Sequence, residues 1–497
     1  KTIRQFNPII LPYNKVKDPV TGIQTEDYEL ELRITVGGSV DENDNVINDG
    51  SSIFIGKPII QEIKYENSEP ILYRKTLYPN EARLKNITYK TGIQADVIIE
   101  YYVRESDSLV RNLKPKVFDK ITLTNNLPIM LQSKICSLSG LTGTALHTMG
   151  ECEYDQGGYF IIDGKEKVIV AQERQIENKL YTSKLKPDER YKYSTEIRSA
   201  PENKLQPARI TKCHIMNKIS NMKETIEENS IRLSLPNING EVPIFIIFRA
   251  LGIISDYDIC STIVDDFDSS LSNKILEILR PSIHEGLSIN NHSDALQFIE
   301  SKIASSFMIP GIAAYKRKHF LANIIRDYFL PHCGNDNYTK AYYLGHMIKE
   351  TIYRLIDVKK PTDRDSYLYK RVDISGFLIS AIFRDLYFRI KNKLIQNLNI
   401  FYATKDGESE GYYWNQYSND EFLTTNFKNY KFYNMISESE IEGGGIAIYK
   451  VIDNTIMDEG FLYAFKNCWG LKNAPCKQGV VQDMNRLSYI GAVSHIR

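Results

Sequence analysis

The chain has 497 residues, 42% of them hydrophobic and 25% charged, and Lys+Arg and Asp+Glu each total 62. That length suggests about three domains, each able to bury a core. The balanced charge excludes a protein coated in positive charge but leaves room for a local basic groove. No apolar run reaches the ~18 residues of a membrane span, and no secretory signal is present. The seven cysteines are scattered, odd in number and without a CxxC pair, which predicts reduced structural thiols and no metal site. The chain begins at Lys1 without Met and stops at Arg497 inside a basic segment, so it reads as a piece of a longer polypeptide.

In chain order, residues 53–60 (IFIGKPII) predict a strand broken at Gly56-Lys57-Pro58. Tyr78-Pro79 ends another extended piece, and Asn80–Leu84 starts a short turn or helix in which Glu81 and Arg83 could form a surface ion pair. The run LPIM (127–130) leads to a solvated Lys134. Next, YFII and KVIVA flank Asp163-Gly164, a pair that adopts the positive φ angles of a tight hairpin turn with little strain. Gly157-Gly158 before it lets the backbone turn or approach another surface. Beyond the turn, Lys165 and Lys167 point to one face, Val168 and Val170 to the other, and Gln172, Glu173 and Arg174 follow. A phosphate loop is excluded by spacing, because Tyr159 and Glu166 stand where Gly and Ser or Thr are needed.

From Lys186 the composition turns polar, then YSTEIRSA (193–200) predicts a strand and KETIEENS (223–230) a solvated loop. PIFIIFRALG (243–252) is too continuously apolar for a surface strand; it carries Arg249 as a buried, paired arginine, and Asp256 can cap the next helix. Residues 315–356 predict helix, with Ala341, Leu344, Ile348, Ile352 and Leu355 on one stripe. His332 and His346 lack a carboxylate at ligand spacing and read as structural. The charges of DRDSYLYKRVDISG (363–376) suit either an internal ion-pair network or a DNA-facing role. An amphipathic helix over 377–398 and a polar connection over 404–446 follow.

The last stretch holds Lys466, Lys472, Lys477, Arg486 and Arg497 against Asp483 alone. Trp469, Gly470, Pro475 and Gly479 make it loop-like. Each phosphate neutralised by such a loop releases a counterion, giving salt-dependent and sequence-blind affinity.

These motifs, GGYFI with EKV…QER, YPxEARLxNxTY, LPIMLxSK, EIRSA, FRALG, DRDx₄KRxDxxG and WGx₈GVxQxxNRxxYx₄SHxR, fall in one order along residues 53–497. In that order they closely resemble the second-largest, β-like subunit of multisubunit DNA-dependent RNA polymerases, of the eukaryotic or large-DNA-virus type. Asp163 and Lys165 replace the usual Asn and Ser, and Arg486, Leu487 and Ser488 depart from the bacterial drug-pocket pattern, so drug binding is not carried over. The resemblance implies an α+β, mixed multidomain fold. A split protrusion domain (1–185 and 366–450) would hold an inserted lobe (186–365), with the start of the fork region at 451–497. It further implies template-directed nucleotidyl transfer by the whole complex. This fragment would be inactive alone and would hold DNA and the RNA–DNA hybrid through Lys472, Lys477, Gln482, Asn485, Arg486, His495 and Arg497, with Lys165 and Lys167 on the basic hairpin. Mg²⁺ would be held by the largest subunit, with no metal in this fragment. The implied partners are the largest and other polymerase subunits, the DNA template and the hybrid, with no membrane. The implied location is the nucleus, or a cytoplasmic viral factory or virion. The alternative is a stand-alone nucleic-acid-binding or interaction module without catalysis; continued fork motifs after Arg497 would discriminate against it.

Overall fold

The structure, a computed structural model, describes residues 1–17, 24–66, 69–105, 108–110, 114–186, 189–201, 208–217, 227–264, 266–303, 320–403, 436–437, 446–466, 468–472 and 475–496. It is an α+β protein of two compact units, one made of Lys1–Gln172 with Val372–Arg497 and one of Glu173–Arg371.

The first unit is built on an antiparallel sheet in the order Ile9–Lys17, Gln24–Val36, Lys90–Glu105, Lys116–Pro128. Ile53–Ile55 and Ser108–Val110 also pair with the long strand Lys90–Glu105. Side chains alternate between sheet faces, so Leu30, Leu32, Ile34 and Val36 line up with Val97, Ile99, Tyr101 and Val103 in one buried layer. The helix Ser375–Ala403 lays Ile382, Leu386, Ile390, Leu394 and Leu398 on that layer, a strict i+4 stripe. The helix Thr455–Lys466 adds Met457, Phe461, Ala464 and Phe465. Gly460 permits the contact between the two helices, because a Cβ there would lie 2.2 Å from Leu386 Cδ2.

A second apolar cluster, with Leu77, Ala82, Tyr89, Leu131, Leu138, Tyr159, Ile161 and Val168, lies in the same unit. The hairpin Phe160–Ile162/Lys165–Ile169 separates the two clusters. Phe160, Ile162 and Ile169 enter the sheet-and-helix core, while Tyr159, Ile161 and Val168 enter the second. The lysine face expected on this hairpin therefore lasts for two residues only: Ile169, in phase with Lys165 and Lys167, is buried. The short helix Pro79–Leu84 forms after Tyr78, with Pro at its first position. Glu81 and Arg83 do not pair with each other there. Glu81 binds Lys75 and Lys85, as suits residues six and four apart around one turn, and Arg83 reaches elsewhere.

The second unit is a five-stranded antiparallel meander, Leu180–Lys184, Tyr191–Ser199, Arg209–Met216, Ile231–Ser234 and Val242–Pro243, backed by helices. PIFIIFRA becomes the helix Ile244–Ala250, with every residue buried. Arg249 is 2% exposed and donates to Asp256 Oδ1 at 2.5 Å and to the carbonyls of Gly286 and Ile289. Asp256 is thus the first residue of the next helix rather than its cap, which is Ser255. The helix expected over 315–356 is interrupted. Residues 315–319 lie outside the described residues; 320–323 are helical, Ile324–Tyr328 forms a π turn, Leu330 adopts φ 43° ahead of Pro331, and a new helix runs over Asn337–Leu355. Its start is fixed by Asp336, whose carboxylate accepts from the amides of Tyr338 and Thr339. His332 sits 2.7 Å from Ser199 Oγ, and burial pushes its pKa down. His346 lines a polar cleft with Tyr343, Glu350 and Arg354. In the DRD segment, Arg364 pairs with Glu196, and Lys370 Nζ with Glu173 at 2.9 Å. Residues 404–435 and 438–445 of the polar connection lie outside the described residues.

Candidate nucleic-acid interface

The hairpin turn has φ 49° at Asp163 and 76° at Gly164, the conformation a type I′ turn demands. Thr88 Oγ1 donates to Asp163 Oδ1 at 3.0 Å and accepts from the Asp163 amide at 3.1 Å. Lys466 Nζ reaches the same carboxylate at 2.5 Å and holds its pKa below the ordinary value. One lysine of the basic stretch is therefore neutralised by the turn itself.

The strand Lys165–Ile169 then pairs antiparallel with Val481–Asp483, in the register Lys167↔Asp483, Val168↔Gln482, Ile169↔Val481. The amides of Met484 and Val170 extend the ladder to Glu166 O and Val480 O. Lys167 Nζ lies 3.0 Å from Asp483 Oδ1, a cross-strand pair of opposite charges. Lys165, nearest the turn, is exposed and makes no ion pair among the described residues.

Arg486 does not stand free. Its Nε and Nη2 lie 2.6 and 2.9 Å from the two oxygens of Glu166, Asp155 Oδ2 is 3.6 Å away, and the guanidinium carbon is 5.1 Å from the centre of the Tyr159 ring. Arg83 shares the same carboxylate: its Nε donates to Glu166 Oε1 at 2.9 Å, Nη1 to Glu151 Oε1 at 2.8 Å and Nη2 to Tyr159 Oη at 2.7 Å. Tyr159 Oη donates in turn to Asp155 Oδ2 at 2.5 Å. Both guanidinium pKa values are raised; burial opposes this, but the surrounding acids outweigh it. Burial drives the Tyr159 phenol far above its ordinary value.

His495 closes the segment into a knot. Its Nδ1 accepts the Asn485 amide at 3.2 Å, so Nε2 carries the proton and donates to Gln482 Oε1 at 3.1 Å. Gln482 Nε2 donates to Gly479 O at 2.8 Å, and Asn485 Oδ1 accepts the Leu487 amide at 2.9 Å. Gly158, at φ 88°, meets the following helix Tyr489–Ile496 where a Cβ would lie 2.7 Å from Ile496 Cγ2.

The loop carrying Lys472 and Lys477 corrects the expectation of reduced thiols throughout. Cys468 and Cys476 form a disulfide, while Cys136, Cys152, Cys213, Cys260 and Cys333 are free. At a separation of eight they form no CxxC pair, yet the backbone pairing of Trp469 with Lys477 (3.1 and 2.9 Å) brings the two sulfurs face to face. Trp469 is anchored edge-on against Phe465, with centroids 5.6 Å apart. Lys472 Nζ lies 3.6 Å from Glu459, both side chains being well exposed. Lys477 is exposed and makes no ion pair among the described residues. Arg497 lies outside the described residues.

Lys165, Lys167, Gln482, Asn485, Arg486 and His495 thus gather on and beside one three-stranded patch, with Lys472 and Lys477 on the loop that leads into it. Sequence reasoning missed Arg83, Glu151, Asp155 and Glu166. The local charge count covered residues 466–497 only, and the compensating acids lie some 320 positions earlier. The one signal was the Arg in YPNEARL, a polar residue set in an aromatic, Pro-bounded turn.

The profile of the RNA polymerase beta subunit matches residues 14–413. The chain is 30% identical over 450 residues to DNA-directed RNA polymerase II subunit 2 of Arabidopsis thaliana, covering 90% of this chain and 33% of that protein. It is 34% identical over 334 residues to RNA polymerase II subunit RPB2 of Schizosaccharomyces pombe, covering 63% and 26%. It is 32% identical over 336 residues to RNA polymerase subunit Rpo2 of Saccharolobus shibatae, covering 67% and 26%. The chain belongs to the RNA polymerase beta subunit family. It spans about a third or less of the length of the curated relatives it matches. No helix among the described residues is long and apolar enough to cross a membrane.

Proposed function

We propose that this chain is the N-terminal part of the second-largest subunit of a DNA-directed RNA polymerase and that, within the assembled enzyme, it holds and guides DNA and the RNA–DNA hybrid during template-directed nucleotidyl transfer. The observation that carries this reading is the family match over residues 14–413 together with the basic segment folded onto the hairpin next to it. In this proposal, residues 1–185 and 366–450 are the protrusion, 186–365 the lobe and 451–497 the start of the fork. Lys472, Lys477 and Lys165 supply phosphate contacts, Gln482, Asn485 and His495 shape the surface, and Lys167, Arg486 and Arg497 complete it. Among the described residues no group of three His, Cys, Asp or Glu is placed to hold a metal ion. In this proposal Mg²⁺ belongs to the largest subunit, on the family resemblance and not on that absence. The partners are the other polymerase subunits, the template and the hybrid, and the proposed location is the nucleus, or a cytoplasmic viral factory or virion for a viral source.

The test is reconstitution. Elongation complexes containing Lys472→Ala and Lys477→Ala should dissociate faster than wild type, with a shallower dependence of log lifetime on log salt, because fewer counterions are exchanged. Wild-type lifetimes at every salt concentration would reject a nucleic-acid role for this segment. A stand-alone module would instead bind nucleic acid without ever entering a complex with polymerase subunits.

A further inference from the structure

The carboxylate of Glu166 sits where four pieces of chain meet: the short helix Pro79–Leu84 through Arg83, the loop around Asp155 through Tyr159, the hairpin that bears it, and the basic segment through Arg486. Both of its oxygens are used by Arg486, and one of them also by Arg83. Its own carbonyl accepts the Met484 amide at 2.9 Å, so backbone and side chain grip the same stretch. Beyond the Met484 amide the ladder stops, and no strand partner holds Asn485–Ser488. There the Glu166–Arg486 pair ties the segment down, with Arg486–Asp155 and the Tyr489 hydroxyl, which donates to Tyr154 O and accepts from Gln156 Nε2, beside it. The residues behind it are buried: Tyr159 is 0% exposed, and the Glu151 side chain 5%. The node is therefore anchored on its inner side and carries the segment on its outer side.

We propose that Glu166 is a positioning residue: through Arg486 it clamps residues 479–496 onto the hairpin and so sets the array of polar side chains that the segment presents. This rests on the reading of that segment as nucleic-acid-facing. Arg486 acts in it as the clamped partner, and Arg83 keeps the carboxylate aimed outward by occupying its inner side. Positioning and simple electrostatics predict opposite signs for loss of the Glu166 charge. Glu166 is an acid beside a surface proposed to meet phosphates, so removing its charge should strengthen binding if electrostatics alone matters. Positioning demands the opposite.

Two measurements test this. Hydrogen exchange on the full chain compares wild type with Glu166→Gln. Exchange across 481–496 should rise about tenfold or more while the strand Lys90–Glu105 stays protected. Unchanged exchange in the segment overturns the proposal, and so does loss of protection in both regions, which would mark a general stability residue. In reconstituted elongation complexes, Glu166→Gln should shorten lifetime several-fold, and Glu166→Asp should restore part of it. Adding Arg486→Gln should cost clearly less than Arg486→Gln does in the wild-type background, since the two variants share the Glu166–Arg486 tie while each also loses one other, to Arg83 and to Asp155. A lengthened lifetime, or strictly additive losses, overturns the proposal. Increased exchange with an unchanged lifetime at all salt concentrations supports the clamp and rejects the nucleic-acid role of the segment, so the two readings fail separately.

Discussion

Arg249 in the second unit and the Arg83–Arg486 pair in the first answer the same problem, a guanidinium packed against protein acids and carbonyls, in two ways. Arg249 is 2% exposed and held mainly by backbone: two carbonyls accept from Nη1, with Asp256 seven residues along the chain as the counter-charge, while its Nε is buried without a hydrogen-bond partner. Arg83 and Arg486 are 21% and 47% exposed at the side chain and share acids drawn from distant stretches. The first arrangement is fixed as soon as its helices pack. The second forms only when the chain has brought residues some 320 positions apart together, so it can join a surface segment to the core behind it. The contrast is between a charge that finishes a core and charges that fasten one part to another.

The largest effect should come from breaking the core arginine. Arg249→Ala leaves the buried Gly286 carbonyl, the half-buried Ile289 carbonyl and Asp256 without their donor and opens a void, so we expect a loss of about 3–5 kcal/mol. Urea unfolding followed by exchange in Ile244–Ala250 reads it. A loss under about 1 kcal/mol would mean that Arg249 behaves like a surface pair, and the comparison would collapse.

Acid probes the same unit differently. His214 stacks on Tyr191 with centroids 4.1 Å apart, its Nδ1 is buried without a hydrogen-bond partner, and burial pushes its pKa down to about 4. Glu241 and Glu196 nearby favour protonation, while Lys212 and Arg190 oppose it. Its ordinary value is about 6.5. Below that pH the unfolded imidazole takes up a proton that the folded one refuses, so stability falls as pH drops from about 6.5 to about 4. The shift corresponds to about 3 kcal/mol at most. His214→Gln should flatten the stability profile across this window; an unaltered slope would show that His214 is not the titrating group.

Arg83→Ala should cost less than Arg249→Ala, about 2 kcal/mol, mostly because the nearly buried Glu151 loses its partner. Its signature is local. Exchange should rise in Pro79–Leu84 and in 481–496 together, sharpening the contrast between fastening and finishing. A rise confined to one of the two would show that the node is not shared.

How much of this was legible follows from the same contrast. The Asp163-Gly164 turn, the helix stripe from Ala341 to Ile352 and the buried Arg249 are written in residues a few positions apart, and they stand in the structure. Asp336 as the true helix start was hidden because its capping depends on the interruption at Leu330–Pro331. The Cys468–Cys476 bond was hidden because spacing alone does not report the Trp469–Lys477 pairing that aligns the sulfurs. The basic excess of the last segment was legible, but not its neutralisation by Asp163, Glu166 and Glu459, since a count along the chain cannot see acids supplied by other parts of the fold.

The smallest effect on stability, and the most pointed, belongs to Lys477. It is exposed, has no ion pair among the described residues, and its backbone, not its side chain, holds the loop through Trp469. Lys477→Ala should therefore change stability by less than about 0.5 kcal/mol. Arg486→Ala, in contrast, should loosen the segment even without nucleic acid, because its partners are protein acids. In the assembled enzyme both variants should weaken retention of nucleic acid, but through different terms. If Lys477 meets a phosphate as proposed, Lys477→Ala removes one counterion-releasing contact, so the slope of log affinity against log salt should fall by about 1, with segment exchange unchanged. Arg486→Ala should raise exchange across 481–496 first and lower affinity as a consequence. If Lys477→Ala left the slope intact while Arg486→Ala reduced it with exchange unaltered, the assignments would be reversed, and Arg486 would be the phosphate contact that its charge alone suggests.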